Sequence, residues 1–134
     1  MQYLVEGYPN KAKFVKAILP SIIKQLGLTN SRKSLLIRIA RECEGMGMTV
    51  PLHGLDSYVV IIKPMKLKDI GLTLAHEMVH VRQMAKGILK MDKGNTYWNG
   101  KKYSKKTPYL DQPWEQDAFA RQEIIFRKAI NEWL

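Results

Sequence analysis

The chain of 134 residues contains one cysteine, Cys43, so no disulfide can close within it and a reducing compartment is its natural home. That lone thiol reads as a packed side chain. Long apolar runs are also missing, the longest being Tyr58 to Ile62, which is far too short to cross a bilayer. The opening residues, Met1-Gln2-Tyr3-Leu4-Val5-Glu6, have no basic stretch followed by an apolar one, so a secretory signal is not expected. No repeat, linker or low-complexity segment interrupts the sequence. Together these absences exclude a membrane-spanning or disulfide-stapled protein and point to one cytoplasmic domain over residues 1–134, expected as a monomer. An apolar content of 46% suffices for a single core. Histidine is scarce as well, with three in all, and two of them fall in one pentapeptide.

That pentapeptide is His76-Glu77-Met78-Val79-His80. Residues four apart share a helical face, so both imidazoles can reach one cation at about 2.0–2.1 Å per Zn–N bond. Glu77 lies about 100° round the helix, poorly aimed as a ligand but well placed to take a proton from water at the ion. Zinc brings the pKa of such a water to about 7, which makes it a nucleophile for a carbonyl carbon. The helix is expected on separate grounds. From Leu67 to Lys86 there is no proline, and Leu67, Ile70, Leu74, Met78, Val81 and Met84 recur at spacings of three or four. Pro64 before it, Asp69 in its first turn and Gly87 after it are start and stop signals. Gln83 falls between the two histidines in azimuth and either hydrogen-bonds a ligand ring or is solvated. His53, between Pro51-Leu52 and Gly54, reads as a structural or solvated loop residue.

A catalytic zinc site needs a third protein ligand and an open position. No histidine follows His80, and Lys86 stands where a metzincin would carry its third, so a carboxylate is expected. The candidates are Asp92, Asp111, Glu115, Asp117, Glu123 and Glu132. From Trp114 onward the chain reads as one amphipathic helix, with Glu115, Phe119, Gln122, Phe126, Ile130 and Trp133 near a common azimuth. Glu115 heads that largely apolar stripe, where a lone ionised carboxylate is costly unless paired or metal-bound. Glu123, at the stripe's edge, comes second. The competing reading of Glu115 is a capping-box glutamate, since Pro113 suits the first helical position, though Gln112 would be a poor cap.

Elsewhere, Asn10 to Leu26 reads as a helix with Phe14, Ile18, Ile22 and Ile23 inward and Pro20 as a kink or break. Ser34 to Cys43 reads as a strand, Gly45-Met46-Gly47-Met48 as a turn, and Val50 to Leu52 as a short extended piece. Ser57 to Lys63 is the strongest strand and could add an extended substrate backbone to its edge. Asn99-Gly100, inside Tyr97 to Tyr103, is the signal of a tight hairpin bordering the site. Tyr97, Tyr103 and Tyr109 lie between the second and third ligands, and a phenol can donate to a developing oxyanion; Tyr109 is the first choice.

His-Glu-Met-Val-His, followed by a helix opening Pro113-Trp114-Glu115-Gln116-Asp117-Ala118, resembles a minimal gluzincin-type zinc peptidase, and in particular the small peptidase-like proteins of tailed phages and prophages. The resemblance spans Ser57 to Ala120. It implies His76, His80 and Glu115 as zinc ligands, Glu77 as general base, a peptide or protein substrate, and a host-cytoplasm setting. It also implies an α+β, zincin-like minimal fold: an N-terminal helix, a small mostly antiparallel sheet, the active-site helix, a hairpin and a C-terminal helix. Phe119 departs from the larger gluzincins, which carry an aspartate there to orient a ligand histidine; Asp111 or Asp117 could take that role. No C-terminal subdomain is available as a far cleft wall.

Net charge of +10 opens a second class, because Lys101, Lys102, Lys105 and Lys106 cluster round Tyr103, and lysines interleaved with aromatics suit a nucleic-acid backbone. Three expectations therefore stand: a zinc metallopeptidase, a non-catalytic zinc-bearing accessory protein, and a nucleic-acid-associated protein with a structural metal.

Overall fold

Strand β1 (Gln2–Glu6) and strand β2 (Ser34–Ile39) run side by side in parallel, and helix α1 (Pro9–Gln25) is the crossover that a parallel pair requires. The structure, a computed structural model, describes every residue except His53 and Leu55, so His53 lies outside the described residues. Strands β3 (Gly47–Leu52) and β4 (Ser57–Ile62) complete a sheet of order β1-β2-β4-β3. β2 and β4 are parallel, and β3 is antiparallel to β4.

The α+β class holds, but the expectation of a mostly antiparallel sheet fails here, because two of the three pairings in this sheet are parallel. Two features cause this: β1 is a short edge strand whose mostly exposed residues give little alternation to read, and β3 pairs on the far side of β4, which leaves β2 parallel to β4. Ser57–Ile62 also proves to be an interior strand, paired on both sides, so no substrate can add to it; the edges belong to β1 and β3, and β3 is the one that packs against α2. Along β2 and β4, Leu35, Ile37, Ile39, Tyr58, Val60 and Ile62 are buried, and they meet Ile18, Leu19 and Ile22 of α1 in the core. Pro20 does not break α1, which continues to Gln25. Pro20 and Lys16 are both exposed, so water can serve the carbonyl whose helical donor is missing.

Helix α2 (Leu67–Ala85) is buried on most sides, with Ile70, Leu74, Ala75, Met78, Val79 and Val81 in the core, and Gly87 ends it at φ 75°. A second, antiparallel sheet follows, made of β5 (Leu89–Asp92), β6 (Asn95–Trp98) and β7 (Lys101–Tyr103). The expected Asn99-Gly100 hairpin turn is present, both residues at positive φ, and Lys93-Gly94 makes a second such turn that the sequence reading passed over. After a short 3-10 turn at Tyr109–Asp111, helix α3 (Pro113–Trp133) packs against α1 and α2. Its deepest residues are Ala118, Ile125 and Ala129. The expected stripe runs beside that line and touches α2: Glu115, Phe119 and Gln122 meet His76, and the Phe126 ring meets Gly71. Among the described residues no helix is long and apolar enough to cross a membrane.

Candidate metal centre

His76 and His80 leave α2 on successive turns with ring centroids 5.0 Å apart and planes at 81°. Both Nε2 atoms meet the carboxylate of Glu115 in the first turn of α3. His76 Nε2 stands 2.9 Å from Oε1, and His80 Nε2 stands 3.2 Å from Oε1 and 3.1 Å from Oε2. The three side chains are 9%, 9% and 12% exposed, and one ligand atom from each lies within 4.8 Å of the others. This buried His-His-Glu group can hold a metal ion. Gln112 caps α3 without a side-chain hydrogen bond, and the partners of Glu115 are His76, His80 and Tyr109, so the capping-box reading falls away.

The orientation of His80 is fixed from behind. Gln83 Nε2 donates to the Trp114 carbonyl and to Asp117 Oδ2, each at 3.0 Å. A carbonyl only accepts, so the amide cannot be flipped and Gln83 Oε1 must face His80 Nδ1, at 2.9 Å. Nδ1 then carries the hydrogen, and a neutral His80 turns its Nε2 lone pair toward the Glu115 carboxylate. Two sets of lone pairs can face each other at this range only with a proton or a cation between them. Gln122 plays the matching part for His76, its Oε1 standing 2.7 Å from Nδ1.

Two ligands on one tetrahedral zinc with bonds of about 2.0–2.1 Å stand roughly 3.3 Å apart, close to the spacings found here. Gln83 is therefore not solvated: it is fully buried and braces a histidine. Asp117 supports it, while Asp111 makes no hydrogen bond to either histidine among the described residues. Phe119 lies edge-on to the His76 ring at 4.6 Å between centroids.

Charge follows the same geometry. Burial pushes the Glu115 carboxyl upward, but hydrogen bonds from His76 and His80, the His80 charge and the Tyr109 hydroxyl together bring it down to about 2. Burial pushes His80 downward, yet its bonds to Glu115 and Gln83 and the nearby carboxylates outweigh that and leave it raised. Tyr109, whose hydroxyl donates to Glu115 Oε1 at 3.0 Å, is pushed up to about 12 by burial and by the Glu115 charge, so it stays a phenol at neutral pH.

Glu77 is 7% exposed and, among the described residues, makes no hydrogen bond to Glu115 or to either histidine. Its Oε1 accepts a hydrogen bond from Thr49 Oγ1 at 2.8 Å, and Oε2 has no hydrogen-bond partner among the described residues. Two clefts flank it and share Gly47, Glu77 and Tyr109 in their walls. One, of about 280 Å³, is lined by His80, Glu115, Met48, Met84, Leu89, Met91 and Trp114. The other, of about 530 Å³, is lined by His76, Met46, Leu72, Thr73, Phe119 and Gln122, with Glu44 and Asp69 also in its wall. One wall of the first cleft comes from Leu89 and Met91 of β5 and Thr96 of β6.

The chain matches no protein-family model, no curated protein and no solved structure. Sequence reasoning missed Thr49 and Gln122. Gln122 carried a usable signal, since it is a polar residue on the same stripe that singled out Glu115; Thr49 carried none, because its relation to Glu77 depends on how β3 meets α2.

Proposed function

We propose that this protein is a zinc-dependent metallopeptidase of minimal, zincin-like architecture, with His76, His80 and Glu115 as ligands and Glu77 as general base. The observation that carries the reading is the amide-locked His80, whose Nε2 faces the Glu115 carboxylate beside that of His76, at spacings that two ligands of one zinc would have. Two imidazoles and one carboxylate form a donor set of catalytic zinc sites. When bound, zinc polarises a carbonyl group and acidifies water at its open position.

The chain's own residues supply the rest. Glu77, with Oε1 held by Thr49, offers Oε2 to take a proton from water and later deliver it to the leaving amine. Tyr109, a neutral phenol in the wall of both clefts, turns its hydroxyl from Glu115 Oε1 to donate to the oxygen that gains charge during attack. The open edge of β3 suits strand addition by an extended peptide, with Pro51 limiting the pairing toward its end. The cleft walled by Met48, Met84, Leu89, Met91 and Trp114 suits a large apolar side chain, and its methionines let it adapt to several.

The test is mass spectrometry of a peptide library incubated with wild type and with Glu77→Gln, alongside metal analysis of both. Cleavage by wild type and none by the variant, at equal zinc content, supports the reading. Equal zinc with no cleavage by either favours a non-catalytic zinc-bearing accessory protein.

A second reading rests on the β5–β7 sheet, where Lys90, Tyr97 and Lys102 are register partners and share one face, and Lys101 stands 5.3 Å from the Tyr103 ring. Aromatics between lysines suit a nucleic-acid strand. Salt-sensitive binding to DNA or RNA, lost when Lys101, Lys102, Lys105 and Lys106 are neutralised, would support it.

A further inference from the structure

Gly47 and Thr49 are two apart on β3, so both project from the same face of the sheet, the face turned to α2. At Gly47 the helix comes so close that an added Cβ would stand 2.5 Å from Thr73 Cγ2 and 3.3 Å from Glu77 Cγ. No side chain fits between strand and helix there without moving one of them. One pleat further along, the Thr49 hydroxyl reaches the same glutamate, 2.8 Å from Oε1 and 3.3 Å from its backbone oxygen. Two separate features of one strand, a missing side chain and a placed hydroxyl, thus bear on a single carboxylate at a single turn of α2.

The geometry points to Gly47 and Thr49 as the seat of the general base: Thr49 is a positioning residue that holds one oxygen of Glu77 and leaves the other facing the cleft. This rests on the reading of the protein as a hydrolase. A carboxylate on two rotatable carbons has several orientations within reach, and only those that present an oxygen to water beside the ligands are productive. Thr49 removes that freedom by donating to Oε1. Its valine isostere has the same shape and no donor, so the bond can be deleted without emptying the space. Thr49 also sits in the strand with the open edge, so the residues that would pair with a peptide backbone and the residue that aims the base belong to one rigid element.

The experiment compares wild type, Thr49→Val, Thr49→Ser and Gly47→Ala for zinc content, kcat and KM on a peptide that wild type cleaves, with a crystal structure of metal-free Thr49→Val as a readout apart from activity. Expected are kcat lower by about 10- to 100-fold in Thr49→Val with KM within about twofold. Zinc content should be unchanged, activity should return in Thr49→Ser, and the Glu77 carboxylate should leave its wild-type position in the crystal. Gly47→Ala should lower kcat as well, by displacing Glu77. Wild-type kcat in Thr49→Val, or a loss in Thr49→Ser as large as in Thr49→Val, overturns the assignment while leaving the hydrolase reading intact. A wild-type protein that holds zinc and cleaves nothing in the library overturns both, and does so before any variant is compared.

Discussion

The ring of Phe126 on α3 fills the space that a side chain at Gly71 on α2 would need, with Cδ1 and Cε1 as the nearest atoms. This contact sets the separation of the two helices that carry the His-His-Glu group, His76 and His80 on one and Glu115 on the other. The single interior glycine of α2 costs helix propensity and is retained because the partner helix leaves no room for anything larger.

Gly71→Ala is therefore expected to destabilise the protein by about 1–3 kcal/mol through overpacking, although alanine is the better helix former. The same change moves α3 outward and weakens zinc binding. Chemical denaturation and a competitive zinc titration check the two effects; a stabilised variant with unchanged affinity would show that the helices have slack at this contact.

Gln83 is buried on every side and joins three elements of the site: the His80 ring, the Trp114 carbonyl and the Asp117 carboxylate. Replacing it by leucine leaves His80 Nδ1 without its acceptor and frees the ring to turn. Zinc affinity is expected to fall about 10- to 100-fold, the usual cost of losing a group that orients a metal-ligating histidine. Asp117→Asn should cost less, since the Trp114 carbonyl still fixes the amide. Isothermal titration with zinc measures both, and equal affinity in Gln83→Leu and wild type would remove Gln83 from the account.

The metal-free protein should have a characteristic stability profile with pH. Glu115 is lowered from 4.5 to about 2, so its contribution is present above pH 4.5 and disappears as pH falls toward 2. His80 is raised from 6.5, so its contribution is complete below pH 6.5 and disappears as pH rises through its raised value. The two overlap fully between about pH 4.5 and 6.5, where the metal-free protein should be most stable relative to its flanks. Zinc competes with protons for the imidazoles, so the stabilisation it adds should grow with pH through this range. Melting curves of chelator-treated and zinc-loaded protein across pH 3 to 9 check both slopes.

What the sequence made legible was whatever could be read within one helix. His76, Glu77 and His80 are related by the turn of α2 alone, and Glu115 stood out because a carboxylate heading an apolar stripe needs a partner. The Asn99-Gly100 hairpin was legible for a similar reason, since both residues tolerate positive φ. The neighbour order of the strands was not legible, because β4 is interior and β3 is at the edge only through pairings between distant segments. β1 was hidden by its exposure. Thr49 belongs to the same class: nothing local links it to Glu77, and its role appears only when β3 is laid beside α2.

If one divalent ion is held by three side chains from two helices, the zinc content of purified, dialysed protein reads it out without any assumption about substrate. Wild type should retain about one zinc per chain, as a site with three protein ligands does. His76→Ala, His80→Ala and Glu115→Ala should each retain next to none while remaining folded by circular dichroism. Zinc held equally by all four proteins, or by none of them after loading, would contradict the account.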